Sequence, residues 1–149
     1  MILYNLFPLL AGPFGRWNEH FTRAATMGFN WVYVNPIQKL GASRSLYSIA
    51  DYFQLNPAFV DPANPAAAEE QCRQMAAQGR AAGLQLMTDL VINHSAYDSP
   101  LTREHPEWFK REHDGRIANA FCQHGNERVV WTDLAQFDHE HTRDPEGLY

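Results

Sequence analysis

The chain has 149 residues, 45% of them hydrophobic and 19% charged, which fits one globular domain and excludes a disordered chain. Its formal charge is −5, from 12 basic and 17 acidic residues, and the basic ones are scattered, which argues against a phosphate-rich polymer and so against nucleic acid as a partner. No apolar run reaches the roughly 18–20 residues that cross a bilayer, so no membrane span is expected.

Residues 1–10 (MILYNLFPLL) are apolar but have no basic residue before them and carry Tyr4, Asn5 and Pro8. They read as a first β-strand over 2–6 rather than a signal peptide. Gly12, Pro13 and Gly15 punctuate a turn. Trp17, Phe21, Ala24 and Ala25 then mark one stripe of an amphipathic helix over 17–27, with Gly28 suited to its C-terminal end. Trp31–Val34 (WVYV) is a continuous β-prone run, as expected of a parallel strand covered on both faces.

Residues 37–62 are expected to be irregular. Asn64-Pro65 reads as an N-cap with proline at the first helical position, opening a helix that runs to about Ala82. Cys72, Met75, Ala76 and Gly79 form its apolar side, and Gly83 ends it. Cys72 is then a small buried hydrophobe. Two cysteines 50 positions apart, Cys72 and Cys122, suggest free thiols and a cytoplasmic protein, with a single disulfide between them as the alternative. Residues 84–92 (LQLMTDLVI) give a third buried strand. After Ile92 the chain turns polar and aperiodic, with a turn of helix expected over 106–110 and a short strand over 129–131. The order β-α-β-loop-α-β predicts parallel strands joined by helical crossovers.

The fold class read from this order is α/β, and the architecture weighed for it is the first three β/α units of a (β/α)₈ barrel, followed by an irregular stretch long enough to hold a loop subdomain of its own. A full barrel takes about 250 residues, so the chain is expected to be truncated, with 1–95 in the barrel and 96–149 in the subdomain. A doubly wound dinucleotide fold is disfavoured because residues 10–17 (LAGPFGRW) lack the GxGxxG spacing. Exposed apolar faces on an unclosed barrel predict oligomers or aggregates.

The most informative segment is 88–95 (TDLVINHS). Asp89 sits in an apolar run, where an ionised carboxylate needs a partner. Asn93 and His94 lie just past the strand's C-terminal end, where parallel barrels build their active sites. An amide and an imidazole both donate and accept hydrogen bonds, as sugar hydroxyls require.

At these residues the chain resembles the α-amylase superfamily of glycoside hydrolases and transglycosylases. Asp89-Leu-Val-Ile-Asn93-His94 is similar to its Asp-x-x-x-Asn-His at the end of the third barrel strand. Tyr47-Ser-Ile-Ala-Asp51-Tyr52, followed by Leu55-Asn56-Pro57, resembles its loop after strand two, and Trp31-Val-Tyr-Val-Asn35-Pro36-Ile37 its second strand. The three matches keep the family's order over roughly residues 1–110. The resemblance implies that His94 hydrogen-bonds a sugar beside the scissile bond and that Tyr47 stacks on the same sugar. It further implies that Asp89 orients a downstream arginine, that Asp51 supports the loop, and that Asn93 matches a position binding calcium in many members. The substrate implied is an α-glucan or maltooligosaccharide.

Leu46 and Ser45 stand where the family usually has Gly and His. The family's nucleophilic Asp, acid/base Glu and third Asp follow later strands, and none of the acids here matches those motifs. Retaining hydrolysis needs two carboxyl groups about 5–5.5 Å apart, so no catalytic residue is assigned and no turnover is expected from these residues alone. His105-Pro-Glu-Trp108-Phe109 resembles a motif of the family's loop subdomain, where Trp108 is expected in the core. Two rival readings are a non-catalytic carbohydrate- or partner-binding module, and a metal-dependent hydrolase using Cys122, His124, His139 and His141 as zinc ligands. The second lacks the tight CxxC or HExxH spacing, and solvated loop histidines are the default.

Overall fold

The computed structural model describes residues 1–148; Tyr149, the last residue of the expected subdomain, lies outside the described residues. Strand β1 is Leu3–Leu6, followed by helices α1 (Pro8–Ala11) and α2 (Trp17–Thr26) and strand β2 (Trp31–Val34). Strands β3 (Gln38–Leu40) and β4 (Ile49–Leu55) precede helix α3 (Ala68–Ala81) and strand β5 (Gln85–Thr88). Then come β6 (His94–Ala96), α4 (Leu101–Glu104), β7 (Asn119–His124), β8 (Glu127–Gln136) and α5 (Pro145–Leu148). The fold is α/β. No helix among the described residues is long and apolar enough to cross a membrane.

By compactness the chain divides into residues Met1–Ile37 with Phe53–Leu90, and residues 38–52 with the described residues from Val91 onward. These units interleave in sequence, whereas the expected halves, 1–95 and 96–149, are continuous.

In the first unit β1, β2 and β5 form a parallel sheet in that order, with Leu6 opposite Val34 and Val34 opposite Thr88. Side chains alternate along each strand, so Leu6, Val32, Val34 and Leu86 share one face. Leu6, Val32 and Val34 are buried, as are Trp17, Phe21 and Ala24 of α2 at the predicted spacing. Phe14 and Trp17 meet edge-on at 5.0 Å, each 6.1 Å from Phe59, and Trp17 Nε1 donates to the Gly12 carbonyl at 2.8 Å. Gly79 lets α3 close on the sheet, because a Cβ there would stand 2.8 Å from Leu86 Cδ1. Gly28 follows α2 with φ of 86°, the left-handed conformation expected of its cap.

Several expectations in this unit are corrected. Asn64 is not the N-cap of α3. Its Oδ1 accepts from Ala66 N–H at 3.0 Å in a local turn, and the helix starts at Ala68 behind Ala67, which offers no side-chain cap. Proline at 65 suits a turn as well as a first helical residue, so the dipeptide alone did not separate the two. The buried polar Gln71 serves that turn instead. Its Oε1 accepts from Asp61 N–H at 2.8 Å, and its Nε2 donates to the Ala66 carbonyl at 3.0 Å and to the Asp61 carbonyl at 3.1 Å. Cys72 is half-buried rather than buried; both cysteines are free. The third strand spans Gln85–Thr88, not 84–92, because Leu90 and Ile92 are exposed and only Val91 between them is buried.

Strand β3 pairs with β4, so the stretch 37–62 is not irregular as expected. Asp51 and the mixed exposure along β4 broke the apolar run that marks a buried strand. The region after Ile92 is likewise ordered. Strands β6, β8 and β7 form an antiparallel sheet in that order, with His94 opposite Gln136 and Phe121 opposite Val130. The expected 129–131 strand lies within the first half of β8. Gly125 and Asn126 form a two-residue hairpin turn, and Gly125 takes the positive φ (59°) that a type II′ turn requires at its first central residue. Where β7 and β8 slip register, Asn119 Nδ2 donates to the carbonyls of Leu134 (3.0 Å) and Thr132 (3.2 Å). Phe109, Ala135 and Phe137 are the buried centre, with Tyr52, Tyr97 and Trp108 against them. Trp108 thus packs in the core as expected. The expected turn over 106–110 is a 3₁₀ turn at Pro106–Trp108.

Candidate functional site

Asp89 belongs to the first unit. Its backbone N–H continues the ladder by donating to the Val34 carbonyl at 2.9 Å, so it sits one residue past the end of β5. The half-buried carboxylate accepts from the Tyr33 hydroxyl at 2.5 Å. That partner follows from register. Tyr33 lies opposite Met87, and Asp89 is two residues beyond Met87, so all three project from the same face. The apolar run around Asp89 predicts that it needs a partner but does not point to Tyr33, because a continuous β-prone run such as Trp31–Val34 does not mark which of its residues meets a polar group.

Tyr47, Asp51, Asn93 and His94 belong to the second unit. Tyr47 is 39% exposed, in the loop between β3 and β4. Asp51 is half-buried on β4, and Asn93 is exposed. His94 is buried at the start of β6, and its Nε2 lies 3.0 Å from the Tyr47 carbonyl. A carbonyl only accepts, so Nε2 carries the proton in this contact. Burial holds the imidazole below its ordinary range, partly offset by the Tyr47 hydrogen bond and the charge of Asp133, so the neutral form is favoured. With the proton on Nε2, Nδ1 is an acceptor, and it is buried without a hydrogen-bond partner among the described residues.

The backbone of His94 is held as firmly as its ring. The Tyr52 hydroxyl donates to the His94 carbonyl at 2.7 Å, and Phe137 N–H donates to the Asn93 carbonyl at 3.1 Å. Tyr52 packs against Phe137, and burial pushes its phenol well above the ordinary range, which keeps it a hydroxyl donor. The structure therefore joins Tyr47 and His94 by a direct hydrogen bond and ties both to the aromatic centre through Tyr52.

Among the described residues, no group of three or more His, Cys, Asp or Glu side chains gathers as a metal ion would need. Cys122 and His124 lie on the exposed hairpin. His139 Nε2 lies 2.6 Å from the Ile92 carbonyl, and His141 stands 3.6 Å from Asp138. His105 stacks on Trp108 at 3.9 Å, and Trp108 Nε1 donates to Asp144 at 3.0 Å.

Comparison with known proteins agrees with the motifs. The family described as "Glycogen debranching enzyme, glucanotransferase domain" matches residues 2–111. The chain is 33% identical over 92 residues to a glycogen debranching enzyme of Saccharomyces cerevisiae, covering 61% of this chain and 6% of that protein. It is 26% identical over a 175-residue alignment to an alpha-1,4-glucan:maltose-1-phosphate maltosyltransferase of Arcanobacterium haemolyticum, covering 98% of this chain and 24% of the relative. Among solved structures, an alpha-amylase from Lactobacillus plantarum superposes with a TM-score of 0.74 at 25% identity, over 94% of this chain and 32% of that one. The chain thus spans a minor part of each relative's length.

Proposed function

This chain belongs to the glucanotransferase-domain family of glycogen debranching enzymes, within the α-amylase superfamily, and from that premise we propose that it contacts an α-glucan or maltooligosaccharide through Tyr47 and His94. Tyr47 offers its ring to the apolar face of a glucose unit. His94 fixes the Tyr47 backbone through Nε2 and has an unused acceptor at Nδ1, which a sugar hydroxyl satisfies once admitted. Asp51 supports the loop from β4, and Asp89, held by Tyr33, keeps an oxygen for a further donor such as an arginine. Asn93 is the candidate calcium ligand.

In this reading residues 1–95 make the N-terminal β/α units of a (β/α)₈ barrel and 96–149 a subdomain following the third barrel strand. The parallel sheet β1-β2-β5 and its helices support that assignment. The whole protein acts on α-glucosidic bonds with retention of configuration, in the cytoplasm, and these 149 residues alone do not turn substrate over, because no acid here matches the family's nucleophile or acid/base motif. The half-exposed sheet residues Leu3 and Trp31 favour self-association.

The observation that carries the sugar-contact reading is the 3.0 Å bond joining Tyr47 to His94 within the family match. Titration of the chain with maltoheptaose, followed by NMR, tests it. Tyr47→Ala is expected to weaken binding up to about tenfold, the scale of an aromatic contact of roughly 0.5–1.5 kcal/mol. Undiminished affinity would remove Tyr47 from the site. New reducing ends or transfer products from the unaltered chain would overturn the proposed inactivity.

A further inference from the structure

The loop 41–48, which carries Tyr47, is closed at its base by Gly41 N–H donating to the Ser48 carbonyl at 2.8 Å. Inside it, Arg44 N–H donates to the Gly41 carbonyl and Ser48 N–H to the Ser45 carbonyl, each at 3.0 Å. These bonds shape the loop but do not say where it sits within the unit. That is decided by residues 94–99: His94 and Ala96 lie two apart on β6 and share a face, and Asp98 follows in the turn closed by Ser99 N–H donating to the Ala96 carbonyl at 3.1 Å. His94 contacts the Tyr47 carbonyl. Ala96 and Asp98 close on Gly41, where an added Cβ would stand 2.5 Å from Ala96 Cβ and 2.5 Å from Asp98 Oδ1. Asp98 Oδ2 accepts from Ala42 N–H at 3.0 Å. Beyond it, Ser99 Oγ donates to the Ala50 carbonyl at 2.7 Å, past the other end of the loop.

Asp98 stands out in this set. It is exposed, so its carboxylate could hydrate freely, yet one oxygen lies against Gly41 and the other takes a backbone amide. A carboxylate accepting a backbone N–H is a stronger acceptor than a neutral group. We propose that Asp98, seated against Gly41, is a positioning residue that sets the placement of the Tyr47 ring for sugar binding. It acts through the loop backbone and touches no ligand, and the inference rests on the reading of Tyr47 as the sugar platform.

Two arms test it. In the first, without sugar, the ring resonances of Tyr47 and the hydrogen exchange of the Ala42 amide are followed by NMR. Asp98→Ala is expected to shift the ring signals and speed the exchange. Asp98→Asn, which keeps an acceptor oxygen, restores both, and Asp98→Ser, too short to reach the Ala42 amide, reproduces the Asp98→Ala signature. Should Asp98→Ala not fold, Asp98→Ser and Asp98→Asn carry the same readout. Ring signals that stay at their original positions in the folded variants overturn the proposal. In the second arm, maltoheptaose affinity falls about fivefold in Asp98→Ala, the scale of one net hydrogen bond, and falls no further when Asp98→Ala is added to Tyr47→Ala. Losses that simply add would mean that Asp98 contributes only to general stability, against the proposal. If Tyr47→Ala leaves affinity unchanged, the platform reading fails, and the ring signals still decide whether Asp98 places Tyr47.

Discussion

The first compact unit is held by apolar faces meeting at helical and strand periods, and the second by side chains bonding to backbone across long stretches of sequence. In the first, Trp17, Phe21 and Ala24 recur on one helix face, and Val32 and Val34 on one strand face, all buried. In the second, Tyr52 reaches the His94 carbonyl, Asn119 spans a register slip, and Asp98 and Ser99 take backbone groups of the 41–50 stretch. Apolar packing tolerates small displacements and rewards area, whereas hydrogen bonds demand direction and position. A unit built the second way can hold a loop residue such as Tyr47 in one place while leaving its ring in contact with water.

The contrast predicts a gradient of mutational effects. Trp17→Ala removes the largest fully buried side chain of the first unit and is expected to cost about 3–5 kcal/mol in urea unfolding. A loss below about 1 kcal/mol would break the claim that packing dominates there. Gly79→Val is next, at about 1–3 kcal/mol, because its Cβ must displace Leu86 or lift α3 from the sheet. Asn119→Ala in the second unit is expected to cost about 1 kcal/mol by leaving the Leu134 and Thr132 carbonyls without this donor. A neutral result would mean those carbonyls find other donors, and that this bond does not stabilise the bulge.

The smallest expected effect is read as a pH slope. The His94 imidazole is held below its ordinary value of 6.5, chiefly by burial, so the unfolded chain takes up its proton first as pH falls. Stability from this group is complete above 6.5 and is lost as pH drops from there through the lowered folded value. His94→Gln should flatten the difference in urea midpoint between pH 7.5 and pH 5.5. An unchanged slope would place the pH dependence outside His94.

Much of the first unit was legible because its signals are local: a stripe at offsets of four and seven, a β-prone run, and a glycine after each helix. The motif 89–94 was also legible, since strand end, polar cluster and order along the chain agree with the family. Less was legible in 37–62 and 93–148. The Gly125-Asn126 dipeptide between two β-prone runs was available as a hairpin signal, but Gln123, His124, Glu127 and Arg128 diluted the runs. Asn64-Pro65 misled because a helix start and an Asx turn use the same residues.

What the sequence determined by itself was the α/β order and the family, and it named Tyr47 and His94 as the residues of the proposed sugar contact. Tertiary structure alone decided the partners: Tyr33 for Asp89, Tyr52 and the Tyr47 carbonyl for His94, and Asp98 for the Ala42 amide. Periodicity constrains a residue against neighbours a few positions away, whereas these bonds join positions 42 to 56 apart, whose meeting depends on strand pairing that no local pattern encodes.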